Sequence, residues 1–531
     1  MNTNFDVIVI GSGPAGVSVA FPLVEAGLRV LMVDGGKQPD VLPPEDNFLS
    51  VRAQDVEQWK WMVGKDFHAL KMRDAVSPKL RVPSQAYAFD GFSRSNQIKE
   101  KDFIAVGSLA KGGLSNAWGC GVARLSADEL AVLPFPVSEM LESYAKVSRR
   151  IGISGRSDDD MADYFGLDEF AQSPIPIDEL HALLFLRYAK QRINLHTIGF
   201  RLGRSRVAAL SSDFFGRRAC NLSGNCLWGC ARGSLYSATH DFPALRKHAN
   251  FAERSGFVVQ NLSRDRGRWL ATGQIFGTGE HFSLTADKIV LAAGTLATTR
   301  IALSALDHRC HVSLLSTPTS AFLLWLPSLL GAQKTRGFGL GQLSFALSLS
   351  DDIGAFGSTF STTGIPISEF ARHIPMSRRY GIDLLSGLLG SCVVGNLFLP
   401  GHLTNAVVKL SGDGSLVVSG RFDDRVRPLM DEAQKKLRKA YLSMGAILLP
   451  GSFTVGTAGG DIHYAGTLPM RDEPVTGETS SIGEVKGLNG VYVVDAACLP
   501  ILPAKSHTLT IMANADRIGK RIAMAARGKN H

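Results

Sequence analysis

Two histidines late in the 531-residue chain lie in segments that could support acid–base chemistry. His463 lies in "DIHYAGTLPM", and His507 follows Ser506 at the start of a predicted closing helix, Thr508 to Ala526. A neutral imidazole can accept a proton from a hydroxyl group near neutral pH. An isolated histidine is more often a hydrogen-bonded core residue, so the assignment depends on what the rest of the chain binds.

The first forty residues predict a dinucleotide-binding unit. A β-branched run, Asp6 to Ile10, leads into Gly11, Gly13 and Gly16, and a second strand ends in Asp34. Gly11 permits a tight turn, Gly13 lets the backbone approach a pyrophosphate, and Gly16 lets the helix pack on the strand. The helix N-terminus offers free N–H groups to phosphates, and Asp34 can accept hydrogen bonds from a ribose. This motif serves FAD and NAD alike.

The remaining segments predict how this unit is completed. The glycine-rich run from 106 to 121 predicts close backbone contact with a ligand, and 286–306 predicts a second strand–turn–helix unit of a doubly wound sheet. Residues 127–200 read as mainly helical, and the alternating runs in 310–450 predict an antiparallel sheet. We therefore expect an α/β fold (α+β overall) with a Rossmann-like domain and a substrate domain built on an antiparallel sheet with helices.

Composition narrows the class of protein. Hydrophobic residues make up 45% and charged residues 20% of the chain, as in ordinary globular proteins. The net charge of +9 is spread along the chain without a nucleic-acid-binding signature, so it suggests at most an anionic substrate or surface. We expect a cytoplasmic protein without a signal peptide or transmembrane segment. The apolar stretch 321–331 is interrupted by Pro327 and predicts a buried helix or a hydrophobic channel wall.

Several separated blocks resemble the glucose-methanol-choline (GMC) oxidoreductases. They are the N-terminal unit, "GGLSNAWG", "VLAAGTLATTRIAL" and the C-terminal series "HYAGTLPM", "GVYVVDAACLP" and "SHTLTIMANADRIGKRI". The resemblance covers about half of the chain, and its C-terminal part is the most specific. It implies FAD rather than NAD, in a discontinuous domain formed by 1–125, 205–305 and 455–531. The substrate domain would comprise 126–204 and 306–454.

The resemblance also implies roles for individual residues. The ADP half, the pyrophosphate and the flavin ring would be held by Gly11, Gly13, Gly16, Asp34, Gly112, Gly113, Ser115, Asn116, Val259, Asp495 and Thr508. Members that bind flavin covalently have a histidine where this chain has Ala117, so non-covalent FAD is expected. The helix that begins after His507 would direct its positive end towards the flavin and stabilise its reduced, anionic form.

The same family places two residues, His–His or His–Asn, opposite the flavin. In this chain they are His463, the expected base, and His507, the expected partner that orients the substrate hydroxyl. The implied reaction is oxidation of an alcohol, on a sugar, glycoside or polyol, to a carbonyl, with hydride passing to the flavin. The electron acceptor, whether oxygen, a quinone or a cytochrome, is left open. A lyase with redox-silent FAD and a flavin electron-transfer protein are the alternatives.

A cysteine-rich loop raises a separate hypothesis. Cys220, Cys226 and Cys230 could hold an iron–sulfur cluster, and their spacing resembles that of bacterial FAD glucose dehydrogenases. Those enzymes have an adjacent cysteine where this chain has Asn221. The alternative is a packed turn that carries reduced thiols.

Overall fold

The computed structural model describes residues 5–40, 42–51, 54–64, 66–71, 77–166, 170–334, 336–365, 367–371 and 376–527. Within these ranges the strands are β1 Phe5–Ile10, β2 Val30–Asp34, β3 Ile98–Lys101, β4 Phe200–Arg204, β5 Phe251–Ser255, β6 Phe257–Asp265, β7 Arg268–Ile275, β8 His281–Leu291, β9 Val312–Ser316, β10 Thr319–Trp325, β11 Leu343–Ser348, β12 Gly354–Ser361, β13 Cys392–Phe398, β14 Thr404–Leu410, β15 Leu416–Phe422, β16 Ile447–Leu448, β17 Thr454–Val455, β18 Tyr464–Ala465 and β19 Val491–Val493.

The longer helices are α1 Pro14–Glu25, α2 Val137–Ile151, α3 Glu179–Thr197, α4 Thr295–Leu306, α5 Arg378–Leu388, α6 Val426–Ser443 and α7 Thr508–Arg527. Shorter α-helical turns are Phe48–Val51, Trp59–Val63, His68–Lys71, Ala86–Phe89, Phe92–Ser95, Ala127–Ala131, Ala162–Phe165, Phe242–Leu245 and Ile367–Ala371. The 3₁₀ turns are Pro78–Arg81, Pro83–Gln85, Gly113–Asn116, Asn225–Leu227, Ala238–Asp241, Pro327–Leu329, Ser350–Asp352, Leu389–Ser391, Gly401–Leu403 and Ala496–Cys498.

The first sheet forms the nucleotide-binding half. Its order is β5-β2-β1-β8-β7-β6, and β19 also pairs with β8. The strands β5, β2, β1, β8 and β19 are parallel, so helices cover both faces and β2 is buried along its whole length. Val7 and Val9 pack under α1 and α7, whereas Ile8 and Ile10 belong to the core on the opposite face. The expected doubly wound α/β unit is confirmed.

The second sheet is antiparallel, in the order β16-β10-β13-β12-β11-β4, with β17 also paired to β10. Its inner face packs against α3 and α6 in one apolar cluster. The antiparallel sheet predicted in 310–450 is therefore confirmed. The helical interpretation of 321–331 is wrong, because the segment begins within β10, whose alternating burial fits a strand that lines a cavity.

The third sheet, ordered β18-β9-β14-β15-β3, includes the segment that carries one of the two histidines. Tyr464 pairs with Ser316 and Ala465 with Leu315, so residue 463 lies next to Thr317.

Among the described residues no helix is both long and apolar enough to cross a bilayer. The domain boundaries given above stay a prediction.

Candidate active site and cofactor cleft

One large cavity joins the two halves of the protein. It has a volume of 920 Å³ and is lined by the β1–α1 turn, the ends of β2 and β8, the wall formed by β10, and both histidines. Its size is that of a site for an extended organic ligand. Of the residues predicted to bind cofactor, those that line it are Gly11, Gly13, Asp34, Gly113, Ser115, Val259, Asp495 and Thr508.

The three glycines of the β1–α1 turn meet different surroundings. A Cβ on Gly11 would lie 2.2 Å from the Ala292 carbonyl oxygen, and one on Gly16 would lie 2.0 Å from the Gly11 oxygen. At Gly13 the nearest atoms to such a Cβ are 3.9 Å away. Gly11 and Gly16 are thus required by the protein's own packing. Gly13 instead leaves open space beside the N-terminus of α1, where a phosphate could approach.

Asp34 fits a ribose-binding role. It lies at the end of β2 and is 9% exposed, and its Oδ1 atom has no hydrogen-bond partner in the structure. Burial raises the pKa of this carboxyl group, although hydrogen bonds from Ser12 and Ser255 oppose the shift. A buried oxygen without a donor favours a ligand that brings a hydroxyl group. Together with the open space at Gly13, this arrangement fits the ADP half of FAD.

The glycine-rich loop is held by its own side chains. Asn116 Nδ2 donates to the carbonyl oxygens of Lys111 (2.8 Å) and Gly113 (2.9 Å). Asn116 Oδ1 accepts a hydrogen bond from Ser237 Oγ at 2.9 Å. The Asn116 amide therefore holds the shape of the loop. Three of the residues predicted to bind the cofactor, Asn116, Gly112 and Gly16, do not line the cavity.

Asp495 fixes the turn that precedes α4. Its Oδ2 accepts hydrogen bonds from Gly294 N (2.9 Å) and from the Thr298 hydroxyl, and its Oδ1 accepts one from Ala497 N (3.0 Å). Burial raises the pKa of Asp495 to about 6. These bonds hold the turn and Asp495 in place on the cavity wall.

The two histidines lie next to each other on the wall of the cavity. Their ring centroids are 5.0 Å apart and their planes are 89° apart. His507 lies directly before α7, and its Nδ1 is buried without a hydrogen-bond partner. Burial, with a smaller contribution from the charge of His463, lowers the pKa of His507 to about 3. His507 is therefore neutral at ordinary pH.

His463 is more exposed and has polar partners on one side only. Its side chain is 30% exposed, and Nδ1 lies 3.2 Å from Asp461 Oδ2 and 3.4 Å from Thr317 Oγ1. This leaves Nε2 as the nitrogen available to a substrate. Asp461 is buried, which raises its pKa, although the contact with His463 opposes that shift.

A strained residue connects Asp461 with His463. Ile462 has a φ of 68°, in the left-handed region that β-branched residues rarely adopt. Such a conformation costs about 1–3 kcal/mol and persists where the surroundings enforce it. Two residues later the Tyr464 hydroxyl donates to the Ile104 carbonyl oxygen at 2.6 Å, which anchors the chain after the turn. The strained turn brings the carboxylate back to the imidazole two residues later.

The iron–sulfur hypothesis is not supported by the structure. Cys220, Cys226 and Cys230 do line one small cavity, but its volume is only 20 Å³, which is room for about one water molecule. Among the described residues no group of three or more histidine, cysteine or acidic residues is arranged to hold a metal ion. Burial also raises the pKa of Cys220 and of Cys226, which favours thiols over the thiolates that iron needs. The loop is a packed turn.

Three residues of the site were not identified from the sequence. Asp461 and Thr317 contact His463, and Arg206 lines the same cavity from the end of β4. Asp461 stands two residues before His463, which is a weak local signal. Thr317 and Arg206 are 146 and 257 residues from His463 in the sequence, so only the tertiary structure reveals them.

Comparison with known proteins gives two matches to family models. A model described as "GMC oxidoreductase" matches residues 450–515, which contain both histidines. A model described as "Pyridine nucleotide-disulphide oxidoreductase" matches residues 5–97, which contain the glycine turn. Both matched segments contribute residues to the wall of the large cavity.

Similar proteins extend over nearly the whole chain. Paromamine 6'-oxidase of Streptomyces fradiae is 23% identical over 98% of this chain and 91% of its own length. 6'''-Hydroxyparomomycin C oxidase of Streptomyces lividus is 24% identical over the same shares, 98% and 91%. Among solved structures, pyridoxine 4-oxidase from Mesorbium loti has a TM-score of 0.58 at 15% identity and covers 98% of this chain and 99% of its own. That structure supports the fold.

Proposed function

The chain is a GMC-family, FAD-dependent oxidoreductase that acts on CH–OH groups, and from this premise we propose that it oxidises a hydroxyl group of a sugar, glycoside or polyol to a carbonyl with His463 as the base. The observation that carries the proposal is the pair of facing histidines, 5.0 Å apart, on the cavity that also contains the glycine turn. Two relatives are named as oxidases of paromamine and of 6'''-hydroxyparomomycin C.

The residues around the cavity suit the proton transfer that this oxidation needs. The alcohol must lose a proton from oxygen and a hydride, with its electron pair, from carbon. Bound FAD supplies the hydride acceptor. His463 Nε2 accepts the hydroxyl proton because Asp461 Oδ2 and Thr317 Oγ1 lie 3.2 Å and 3.4 Å from Nδ1, on the other side of the ring. The neutral His507 ring can hydrogen-bond the same hydroxyl group without repelling a protonated His463.

Polar side chains on the substrate side favour a molecule with several hydroxyl groups. Ser320 is 1% exposed, lines the cavity and has no hydrogen-bond partner for its Oγ atom. Ser344 Oγ lies 2.7 Å from Ser205 Oγ and 2.9 Å from Ser358 Oγ, which forms a polar strip on the same wall. Phenylalanines 322, 356 and 398 supply apolar surface between these groups.

The proposal is tested by the visible spectrum of the purified holoenzyme under anaerobic conditions. Addition of a sugar or polyol that is a substrate should bleach the flavin bands, and acid precipitation should release the flavin because Ala117 offers no group for a covalent bond. A flavin that no member of a broad alcohol panel reduces would contradict the proposal and favour a redox-silent role.

Asp461 is expected to position His463. In Asp461→Asn an amide could donate to Nδ1, which would place the remaining proton on Nε2 and remove its capacity to accept one. We expect flavin reduction to slow by about 100-fold, with substrate affinity nearly unchanged. Stopped-flow measurement at saturating substrate separates the two effects. Recovery of most of the rate in Asp461→Glu, with native flavin content throughout, would distinguish this role from a general structural one.

His507 is expected to hydrogen-bond the substrate without exchanging its proton. Because its pKa is lowered to about 3, it is neutral above that pH and contributes no ionisation between pH 5 and pH 9. His507→Asn keeps a hydrogen-bonding group, so flavin reduction should slow by about 10-fold. The pH profile of the reduction rate should keep its native shape. A profile whose midpoint moves by more than one pH unit would contradict this role.

A further inference from the structure

Arg206 is a buried cation for which no ion pair is found among the residues that the structure describes. It follows β4, is 4% exposed and lines the cavity that contains His463 and His507. Neither Nε nor Nη2 has a hydrogen-bond partner, and the guanidinium contacts the Phe165 ring with its carbon 5.5 Å from the centroid. Burial lowers the pKa of Arg206 to about 9, so it still carries its charge at neutral pH.

Asp159 is the carboxylate that attracts Arg206, but no ion pair joins the two side chains among the described residues. Asp159 accepts hydrogen bonds from Arg204 N at 2.7 Å and from Met161 N at 3.0 Å. Arg206 itself is held rigidly, since its carbonyl oxygen accepts a hydrogen bond from Val122 N at 3.1 Å. A desolvated charge without an ion-pair contact is costly, and such a cost is tolerated where a ligand supplies the partner.

The other charges on the cavity wall do not supply that partner. Glu369 pairs with Arg81 at 2.6 Å, and Asp461 faces His463. Asp34 lies at the end of β2, and Asp495 accepts hydrogen bonds from the turn before α4. Lys79 adds a second cation to the wall, and no ion pair involves it in the part of the chain that the structure describes. Arg206 and Lys79 are thus two cations of the cavity wall for which no ion pair is found among the described residues.

We propose that Arg206 binds an anionic group, a carboxylate or a phosphate, carried by the alcohol substrate. The inference rests on the proposed function, which places the oxidised hydroxyl group at His463, and it adds the charge class of the substrate. The guanidinium can form two parallel hydrogen bonds with either anion. A protonated amine at the same place would meet repulsion from Arg206, so a positive charge on the substrate is disfavoured at that position.

The test uses three ring compounds of nearly the same shape and different charge: benzoate, benzamide and benzamidinium. Each is titrated into the oxidised holoenzyme, and the dissociation constant is read from calorimetry and from the change in flavin absorption. We expect benzoate to bind most tightly. In Arg206→Gln its affinity should fall by about 100-fold, whereas that of benzamide should change by less than about threefold.

Arg204→Gln is the matched control, because Arg204 is two residues away and does not line the cavity. It should leave benzoate binding within about threefold of the native value. Equal affinity of the native enzyme for the three compounds would overturn the proposal without any variant. Unchanged benzoate binding in Arg206→Gln would also overturn the proposal, even if the midpoint potential of the flavin shifted in that variant. Arg206→Lys, which keeps the charge, should bind benzoate with intermediate affinity. It replaces Arg206→Gln in the titrations if the Gln variant does not fold.

No turnover is needed for these titrations. A failure of the proposed oxidation would appear as a flavin that alcohols do not reduce, and it would leave the charge preference measurable. Once an alcohol substrate is found, adding a carboxylate to it at a position remote from the oxidised hydroxyl should raise kcat/KM in the native enzyme. The same addition should not do so in Arg206→Gln.

Discussion

Replacement of His463 by alanine is expected to slow flavin reduction by an alcohol about 1,000-fold while FAD remains bound. The physical reason is that a carbinol cannot readily release hydride while its oxygen keeps the proton, because positive charge would accumulate on the forming carbonyl. His463 Nε2 is the acceptor that the geometry offers, since Asp461 and Thr317 occupy the Nδ1 side. His507 cannot replace it as a base, because burial holds its pKa near 3.

The measurement is the anaerobic rate of flavin bleaching in a stopped-flow instrument. His281→Ala provides the control, since His281 is an exposed residue at the start of β8 and should leave the rate native. The native absorption spectrum of the His463 variant would show that FAD is still held. A rate within tenfold of native, with the substrate saturating, would show that another group takes the proton.

The second large effect is expected at Gly13, where alanine should weaken FAD binding by about 100-fold while the apoprotein folds normally. The backbone at this position has φ −70° and ψ −175°, which alanine adopts without strain. The added Cβ would meet no protein atom closer than 3.9 Å, so it would occupy only the space that we expect the pyrophosphate to fill. The loss is thus confined to the bound state.

Titration of the apoprotein with FAD, followed by fluorescence, gives the dissociation constant directly. Gly412→Ala is a suitable control, since a Cβ there would meet no atom within 4 Å and the residue lies outside the cavity wall. Gly16→Ala should behave differently and lower the melting temperature of the apoprotein, because its Cβ would lie 2.0 Å from the Gly11 oxygen. Native FAD affinity in Gly13→Ala would mean that the pyrophosphate does not approach this residue.

The sequence and its resemblance to a family were sufficient for features that depend on local pattern. The spacing of Gly11, Gly13 and Gly16 between two β-branched runs specified a strand–turn–helix–strand unit, because turn geometry and close packing are properties of neighbouring residues. The alternating runs in 310–450 specified an antiparallel sheet for the same reason. For the segment 321–331 the sequence left a buried helix and a channel wall open, because a short apolar run has no period that separates a buried strand from a buried helix, and only the helical alternative was wrong.

Tertiary structure alone decided which side chains meet and which remain without a partner. Asp461 contacts His463 across a turn whose middle residue, Ile462, has a left-handed conformation. The cysteine loop satisfied the spacing for a cluster, but packing leaves it 20 Å³, and volume cannot be read from spacing. Arg206 is an ordinary residue in the sequence and becomes an unpaired buried charge only when β4 is placed against the cavity. The burial of a side chain and its pairing with other groups depend on residues that are distant in the sequence. They therefore cannot be read from the order of residues along the chain.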